Sequence, residues 1–127
     1  VGIEALSRGA GKAVFVEKNR RAADIIEENL GKCGIDPVSY AVIRNDAIDF
    51  LRREAEGGKK YRVIFADPPY STDMAMQVMD FICNLDYRIC RILIIECAQE
   101  LSPPPECCDN LKRIKSYGQT YVNYFRF

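Results

Sequence analysis

Short apolar runs alternate along this chain with longer segments in which apolar residues recur every three or four positions. Four of the runs are rich in β-branched and aromatic residues and therefore predict strands. These runs are AVFVE, YAVIRND, YRVIF and RILIIEC. The longer segments carry their apolar residues on one helical face and predict helices. These segments are VGIEALSRGA, RRAADIIEENLGKC, AIDFLRREAE and DMAMQVMDFIC.

The last part of the chain has a different pattern. LKRIKSY and TYVNYFRF alternate apolar with polar residues around Gly118-Gln119, which predicts a closing β-hairpin. The regular alternation of helices and strands before it predicts a parallel sheet with helices on both faces. We therefore expect an α/β fold with a mainly parallel sheet and a C-terminal antiparallel β-hairpin.

The second predicted helix allows a more detailed expectation. Asn19 should cap its N-terminus, and Gly34 should end it. The residues expected on its inward face are Ala22, Ile25, Ile26, Asn29, Leu30 and Cys33.

Composition narrows the class of protein. With 127 residues, 48% of them apolar and a net charge of zero, the chain has the composition of one soluble globular domain, which we expect to be a monomer. It lacks the overall positive charge of many nucleic-acid-binding proteins, so any such contact must come from local patches. No apolar run is long enough for a membrane span and no signal peptide is visible, so a cytoplasmic location without membrane contact is expected.

The cysteine and histidine content also limits the chemistry. The chain has six cysteines, none in a C-x-x-C pair, and no histidine. We therefore expect no metal site, and we expect reduced thiols rather than disulfides. Without histidine, the most common general base and the usual catalytic dyads are absent.

Polar residues follow three of the predicted strands. They are Glu17, Asn45-Asp46 and the segment Asp67–Tyr70. Ligands of open parallel sheets bind at the carboxyl ends of the strands. We therefore expect these three positions to lie along one crevice.

The segment DPPY, residues 67–70, combines a carboxylate, two prolines and an aromatic ring directly after a strand. The prolines stop the strand and stiffen the backbone, and their carbonyls lack a local donor. This combination suits a planar ligand that carries N–H donors. The alternative is a strand followed by a rigid turn, with Tyr70 in the core.

Four segments together resemble a known family. DPPY resembles the fourth motif of methyltransferases that act on exocyclic amines of adenine, guanine or glutamine. With GIEALSRGA, VFVEKN and the terminal YGQT, the chain resembles the bacterial 16S rRNA guanine-N2 methyltransferases of the RsmD type. That resemblance covers essentially the whole chain and implies a Rossmann-like fold with S-adenosylmethionine as cofactor.

The resemblance also implies roles for individual residues. Glu17 would accept hydrogen bonds from the cofactor ribose, and Lys18 would cover the adenosine. Asp46 and Ala47 would contact the adenine, although Asp46 could instead only cap the helix that begins at Ala47. The residues implied in methyl transfer are Asp67, Pro68, Pro69 and Tyr70, with Asp67 also near the cofactor.

One departure from the family concerns the start of the chain. The family carries a strand and a glycine-rich cofactor loop before the GIEALSRGA helix, whereas this sequence begins at Val1 inside that helix. We therefore expect residues 1–127 to be the C-terminal part of a single methyltransferase domain, with the first strand and that loop outside the sequence.

The function implied by the resemblance is methylation of the N2 amine of a guanine in 16S rRNA, at position 966 in the family. The substrate would be the small ribosomal subunit or its assembly intermediate. Two alternatives are an adenine-N6 methyltransferase acting on DNA or RNA and a non-catalytic fragment. A nicotinamide-dependent oxidoreductase would also suit Glu17 but would leave DPPY unexplained.

Overall fold

Helices and strands follow the predicted order over residues 1–127, all of which the computed structural model describes. The elements are α1 Gly2–Ser7, β1 Ala13–Val16, α2 Arg20–Lys32, β2 Tyr40–Ile43, α3 Ala47–Glu56, β3 Tyr61–Ala66, α4 Met74–Cys83, β4 Cys90–Cys97, β5 Leu111–Tyr117 and β6 Thr120–Arg126. Two short 3-10 helices, Pro37–Ser39 and Pro105–Asn110, lie in the connections. None of the four α-helices combines the length and apolar character that a membrane span requires.

The chain divides into two compact units, Val1–Leu51 and Arg52–Phe127. In the first unit, β1 and β2 pair in parallel, from Ala13 opposite Tyr40 to Val16 opposite Ile43. The predicted single domain over residues 1–127 stays a prediction.

Helix packing in the first unit differs in part from the expected pattern. Asn19 caps α2 as predicted, since its side chain accepts a hydrogen bond from the Ala22 amide at 3.0 Å. The buried residues of α2 are Ala23 and Leu30, whereas Ile25 is 49% exposed. Leu30 therefore confirms the expected inward face, whereas the expectation is wrong for Ile25.

The second unit contains a four-stranded sheet in the order β3-β4-β6-β5. Strands β3 and β4 are parallel, and β6 lies antiparallel to both of its neighbours. Leu93 and Ile95 of β4 and Phe125 of β6 are completely buried, which places the core on the central strands. The parallel pairs and the antiparallel C-terminal strands confirm the predicted fold class.

The predicted hairpin between β5 and β6 has a two-residue turn. Tyr117 pairs with Thr120, and Gly118 has a φ of +60° while no non-glycine residue has a positive φ. A positive φ confined to the first central residue is typical of a type II′ turn, which needs glycine there. Replacing Gly118 by a residue with a side chain would therefore strain this end of the hairpin.

The expectation of reduced thiols is wrong for one pair of cysteines. Cys83, the last residue of α4, forms a disulfide with Cys107 of the 3-10 helix, with 5.6 Å between their Cα atoms. The two lie 24 residues apart in sequence, so no local spacing signals the pairing. The four remaining cysteines, Cys33, Cys90, Cys97 and Cys108, are free.

Candidate functional site

The end of β1 presents the first predicted site residue. Glu17 continues the pairing of β1 with β2, because its amide donates to the Ile43 carbonyl at 3.0 Å. Its half-buried carboxylate accepts a hydrogen bond from the Lys18 amide at 2.8 Å through one oxygen, Oε2. The second oxygen makes no hydrogen bond within the chain, so it is available to the hydroxyl groups of a ligand.

The residues after β2 form the N-terminus of α3. Asp46 Oδ1 accepts hydrogen bonds from the Ile48 and Asp49 amides at 2.9 and 3.1 Å, and Asn45 Oδ1 accepts one from the Asp46 amide. Asp46 therefore caps α3, as the alternative interpretation expected. Its Oδ2 atom and the Ala47 amide have no hydrogen-bond partner in the chain. Capping and ligand contact are therefore compatible.

Asp67 and Pro68 follow β3 in the second unit. The Asp67 side chain is exposed and makes no hydrogen bond or ion pair within the chain. The carbonyl of Pro68 also has no donor in the chain. Because the two acceptors are adjacent in sequence and joined to a proline, they form a stiff pair of hydrogen-bond acceptors at a strand end.

The second proline is held differently. The Pro69 carbonyl accepts hydrogen bonds from the Thr72 amide at 3.2 Å and from the Thr72 hydroxyl at 2.8 Å. The expectation that both proline carbonyls are free is therefore wrong for Pro69. Its physical role is to close a turn, which fixes the direction of the chain after DPPY.

Tyr70 lies at the surface and contacts the C-terminal hairpin. The residue is 49% exposed, so the alternative that places Tyr70 in the core is wrong. Its hydroxyl forms a hydrogen bond with the hydroxyl of Thr120, the first residue of β6, at 2.5 Å. A contact at the far end of the side chain limits rotation of the ring and leaves a face of it available for stacking.

A small cleft of about 60 Å³ lies beside this ring. Its lining includes Pro69, Tyr70, Met76 and Gln99. Because Tyr70 is half exposed, its ring borders this cleft and is also open to solvent. A planar ligand can therefore reach the ring from outside the protein.

The segment after β4 contributes Gln99 to the lining of this cleft and is hydrogen-bonded to Asn123 of β6, which is completely buried. Its Oδ1 accepts a hydrogen bond from the Leu101 amide at 3.0 Å, and its Nδ2 donates to the carbonyls of Ile95 and Gln99 at 3.4 Å each. Asn123 is the one buried polar or charged residue in the chain. It therefore fixes the segment after β4 through its hydrogen bonds to that segment.

The structure brings the predicted site residues together in two groups. Glu17, Lys18, Asp46 and Ala47 lie in the first unit, at the carboxyl ends of the paired strands β1 and β2. Asp67, Pro68, Pro69 and Tyr70 lie in the second unit, after β3. The single crevice expected to contain all of them stays a prediction.

Sequence reasoning missed the two threonines that position DPPY. Thr72 binds the Pro69 carbonyl, and Thr120 binds the Tyr70 hydroxyl across 50 residues of sequence. Thr120 is the last residue of the YGQT segment, which the sequence singles out only through the family resemblance. The YGQT motif was therefore a signal that Thr120 matters, although the motif did not indicate which contact Thr120 makes.

Comparison with known proteins gives consistent matches. The model of the family described as "Conserved hypothetical protein 95" matches residues 1–126. Ribosomal RNA small subunit methyltransferase D of Haemophilus influenzae is 31% identical over 84 residues, which are 66% of this chain and 43% of that protein. The chain thus spans less than half the length of this relative.

Two further proteins match over nearly the whole chain. The Bacillus subtilis protein named "Putative rRNA methyltransferase YlbH" is 29% identical over 130 residues, which cover 99% of this chain and 69% of that protein. The crystal structure of a "putative methylase" from Haemophilus influenzae superposes with a TM-score of 0.75 at 25% identity, covering 98% of this chain and 78% of that one.

These matches confirm the expected Rossmann-like methyltransferase fold. A structure described as "a putative methyltransferase complexed with SAH" shares this fold with a TM-score of 0.72 at 12% identity. The matches also confirm the resemblance to RsmD-type enzymes that the four sequence segments indicate. The chain therefore belongs to the family described as conserved hypothetical protein 95, that of the RsmD-type methyltransferases.

Proposed function

We propose that the protein containing this chain transfers a methyl group from S-adenosylmethionine to the N2 amine of a guanine in 16S rRNA. The observation that carries the proposal is the arrangement at the end of β3. There, the Asp67 carboxylate and the Pro68 carbonyl lack partners, and an exposed tyrosine follows two residues after Pro68. Two adjacent acceptors followed so closely by an aromatic ring suit an aromatic base with an exocyclic amine.

The first unit has groups that fit the cofactor. S-adenosylmethionine, when bound, supplies a methyl group on a positively charged sulfur. The free oxygen of Glu17 would accept hydrogen bonds from the ribose hydroxyls, and such charge-assisted bonds are strong. The free Oδ2 of Asp46 would accept the adenine amine, while the Ala47 amide would donate to a ring nitrogen. Acceptors and donor thus match the polar groups of adenosine.

The second unit supplies the chemistry on the substrate side. The guanine amine is a weak nucleophile because its lone pair is delocalised into the ring. If Asp67 and the Pro68 carbonyl accept its two hydrogens, the lone pair turns out of the ring plane and can attack the methyl carbon. The new bond is N–C, the bond that breaks is S–C, and Asp67 holds the amine proton that is released. Positioning and electrostatics supply most of the rate.

Tyr70 would set the plane of the base. Aromatic side chains stack on bases that have left their helical stack, and the tether to Thr120 holds this ring in one orientation. The mechanism needs no histidine, which agrees with a chain that has none.

The test measures transfer of a labelled methyl group by the complete gene product. Small ribosomal subunits from cells lacking this modification, bare 16S rRNA and duplex DNA are offered in parallel, and the methylated nucleoside is identified by mass spectrometry. We expect N2-methylguanosine in a ribosomal substrate. N6-methyladenosine would refute the guanine target in favour of the adenine alternative, which uses the same acceptors. Absence of both transfer and cofactor binding would favour a non-catalytic fragment.

Two variants separate the proposed roles. Asp67→Ala should abolish methyl transfer and leave the affinity for S-adenosylmethionine nearly unchanged. Glu17→Ala should weaken cofactor binding, because a charge-assisted hydrogen bond contributes about 1.5–3 kcal/mol, or roughly 10- to 150-fold. Asp24→Ala, which removes an exposed carboxylate from α2, is the matched control for both. A near-normal transfer rate for Asp67→Ala would disprove the role assigned to DPPY.

A further inference from the structure

A second exposed tyrosine lies at the tip of the C-terminal hairpin. Tyr117 is 55% exposed, and the Lys115 ammonium lies 5.3 Å from the centre of its ring. The two residues are two positions apart on β5, so their side chains lie on one face of the strand. Neither has a role in the fold core or in the proposed methyl transfer.

The pairing of the hairpin connects this tyrosine with Tyr70. Tyr117 is the direct partner of Thr120, and side chains of directly paired residues lie on the same face of an antiparallel sheet. The Thr120 hydroxyl in turn contacts the Tyr70 hydroxyl at 2.5 Å. Two exposed aromatic rings therefore border the same threonine, one directly after the amine acceptors and one on the hairpin.

The surroundings of Tyr117 indicate a ligand class. A lysine over one ring face leaves the other face available, and more than half of the residue is open to solvent. Exposed aromatic rings that are interleaved with cations are how proteins hold single-stranded nucleic acids, with bases stacked on the rings and phosphates near the charges. The Lys115 ammonium also forms no salt bridge.

We infer that Lys115 and Tyr117, here called the hairpin tip, bind the nucleotide next to the target base. Tyr117 stacks on the base of that nucleotide, and Lys115 contacts its phosphate. The inference rests on the proposed function, since it assumes that Tyr70 holds the target. It adds a requirement that the target be flanked by an unstacked nucleotide, and therefore that it lie in a loop, bulge or opened strand.

The experiment measures binding by fluorescence anisotropy with the complete gene product. One probe is a short labelled single-stranded RNA, and the other is a ribose-phosphate chain of the same length without bases. The wild-type protein should bind the RNA more tightly. Tyr117→Leu should lose about 5- to 150-fold in affinity for the RNA and little for the abasic chain, because stacking on one ring contributes that much. Tyr117→Phe should keep the preference.

Lys115 is tested through the dependence of binding on salt. Lys115→Ala should reduce the slope of log affinity against log salt by about 0.7, the value for one phosphate contact on a single strand. It should weaken binding of both probes. Lys112→Ala removes the same charge from the same strand but has no ring beside it, and it should leave the salt slope nearly unchanged. Equal slopes for Lys115→Ala and the wild-type protein would refute the phosphate contact.

The outcomes separate this inference from the proposed function. If the wild-type protein methylates rRNA and Tyr117→Leu keeps its full preference for RNA with bases, the stacking position is refuted and the proposed function stands. If the wild-type protein methylates no nucleic acid, and the Tyr117→Leu variant loses the preference for RNA with bases, the stacking surface stands and the proposed function fails. Equal binding of both probes by the wild-type protein overturns the inference directly.

Discussion

Replacing Asn123 with alanine should destabilise the second unit strongly, although the residue touches no proposed substrate. Asn123 is the one buried polar residue of the chain, and it joins β6 to the segment that follows β4. In Asn123→Ala, the Leu101 amide would lose the acceptor that now lies 3.0 Å away. Because Leu101 is only 4% exposed, water cannot take the place of that acceptor. The carbonyls of Ile95 and Gln99 would lose a weaker donor at 3.4 Å.

The magnitude follows from these contacts. A buried donor left without a partner costs about 1–3 kcal/mol, and the two long bonds add roughly 0.5 kcal/mol between them. The small cavity left by the removed amide adds about 1 kcal/mol. We therefore expect the free energy of unfolding to fall by about 2.5–4.5 kcal/mol, a large share of the stability of a domain of this size.

Urea denaturation followed by circular dichroism measures this loss. Asn110→Ala is the matched control, because Asn110 donates one hydrogen bond to the Arg126 carbonyl at 3.0 Å near the surface and should contribute about 1 kcal/mol or less. A loss in Asn123→Ala no larger than that of the control would refute the argument.

An isosteric variant gives a second check through pH. Asn123→Asp keeps the acceptor for Leu101 but turns an oxygen toward the Ile95 and Gln99 carbonyls. Burial should raise the pKa of this carboxyl above its unfolded value of about 3.9. A raised folded pKa means that stability is present below that value and is lost as pH rises through the folded pKa. The variant should therefore be most stable in acid, and a stability independent of pH would contradict the proposed burial.

Two more predictions concern the hairpin contact and a buried thiol. Thr120→Val removes the hydroxyl that contacts Tyr70 and should lower kcat/KM for methyl transfer about 2- to 10-fold, whereas Thr120→Ser should restore it; equal rates for both variants would show that the contact does not position the ring. Burial raises the pKa of Cys90 from 9.0 to about 12, against an opposing effect of Arg88. Because the folded pKa is the higher one, this contribution to stability is present below about pH 9 and is lost as pH rises toward 12. The urea midpoint should therefore fall above pH 9 in the wild-type protein, and less so in Cys90→Ala; parallel curves would contradict the assignment.

The sequence predicted the elements best where their signals are local. The helix α3 covers the expected AIDFLRREAE, and Asn19 caps α2. Strand β2 is shorter than expected and ends at Ile43, because Asn45 and Asp46 turn to cap α3 instead of continuing the strand. The helical spacing predicted the buried Leu30 of α2 correctly but also placed Ile25 inside and left out Ala23, which is buried.

The site was predictable only as far as it depends on strand ends and backbone stiffness. The positions of Glu17, Asp46 and Asp67 follow from the order of the elements. The partners of Tyr70 and Cys83 do not, because each contact joins residues far apart in sequence, at 50 and 24 positions. Such contacts depend on how β6 and the 3-10 helix pack in three dimensions, and no local period encodes that packing.

The long-range contact at Tyr70 changes how the DPPY segment can be understood. The two prolines restrict the backbone from within, while Thr72 holds the Pro69 carbonyl and Thr120 holds the ring from outside. The Asp67 carboxylate and the Pro68 carbonyl are left without partners. A weak nucleophile such as an aromatic amine gains most from acceptors that are already in place before it binds, because no reorganisation is then needed during the reaction. The hairpin thus contributes to the proposed chemistry by holding the ring that would orient the base against those acceptors.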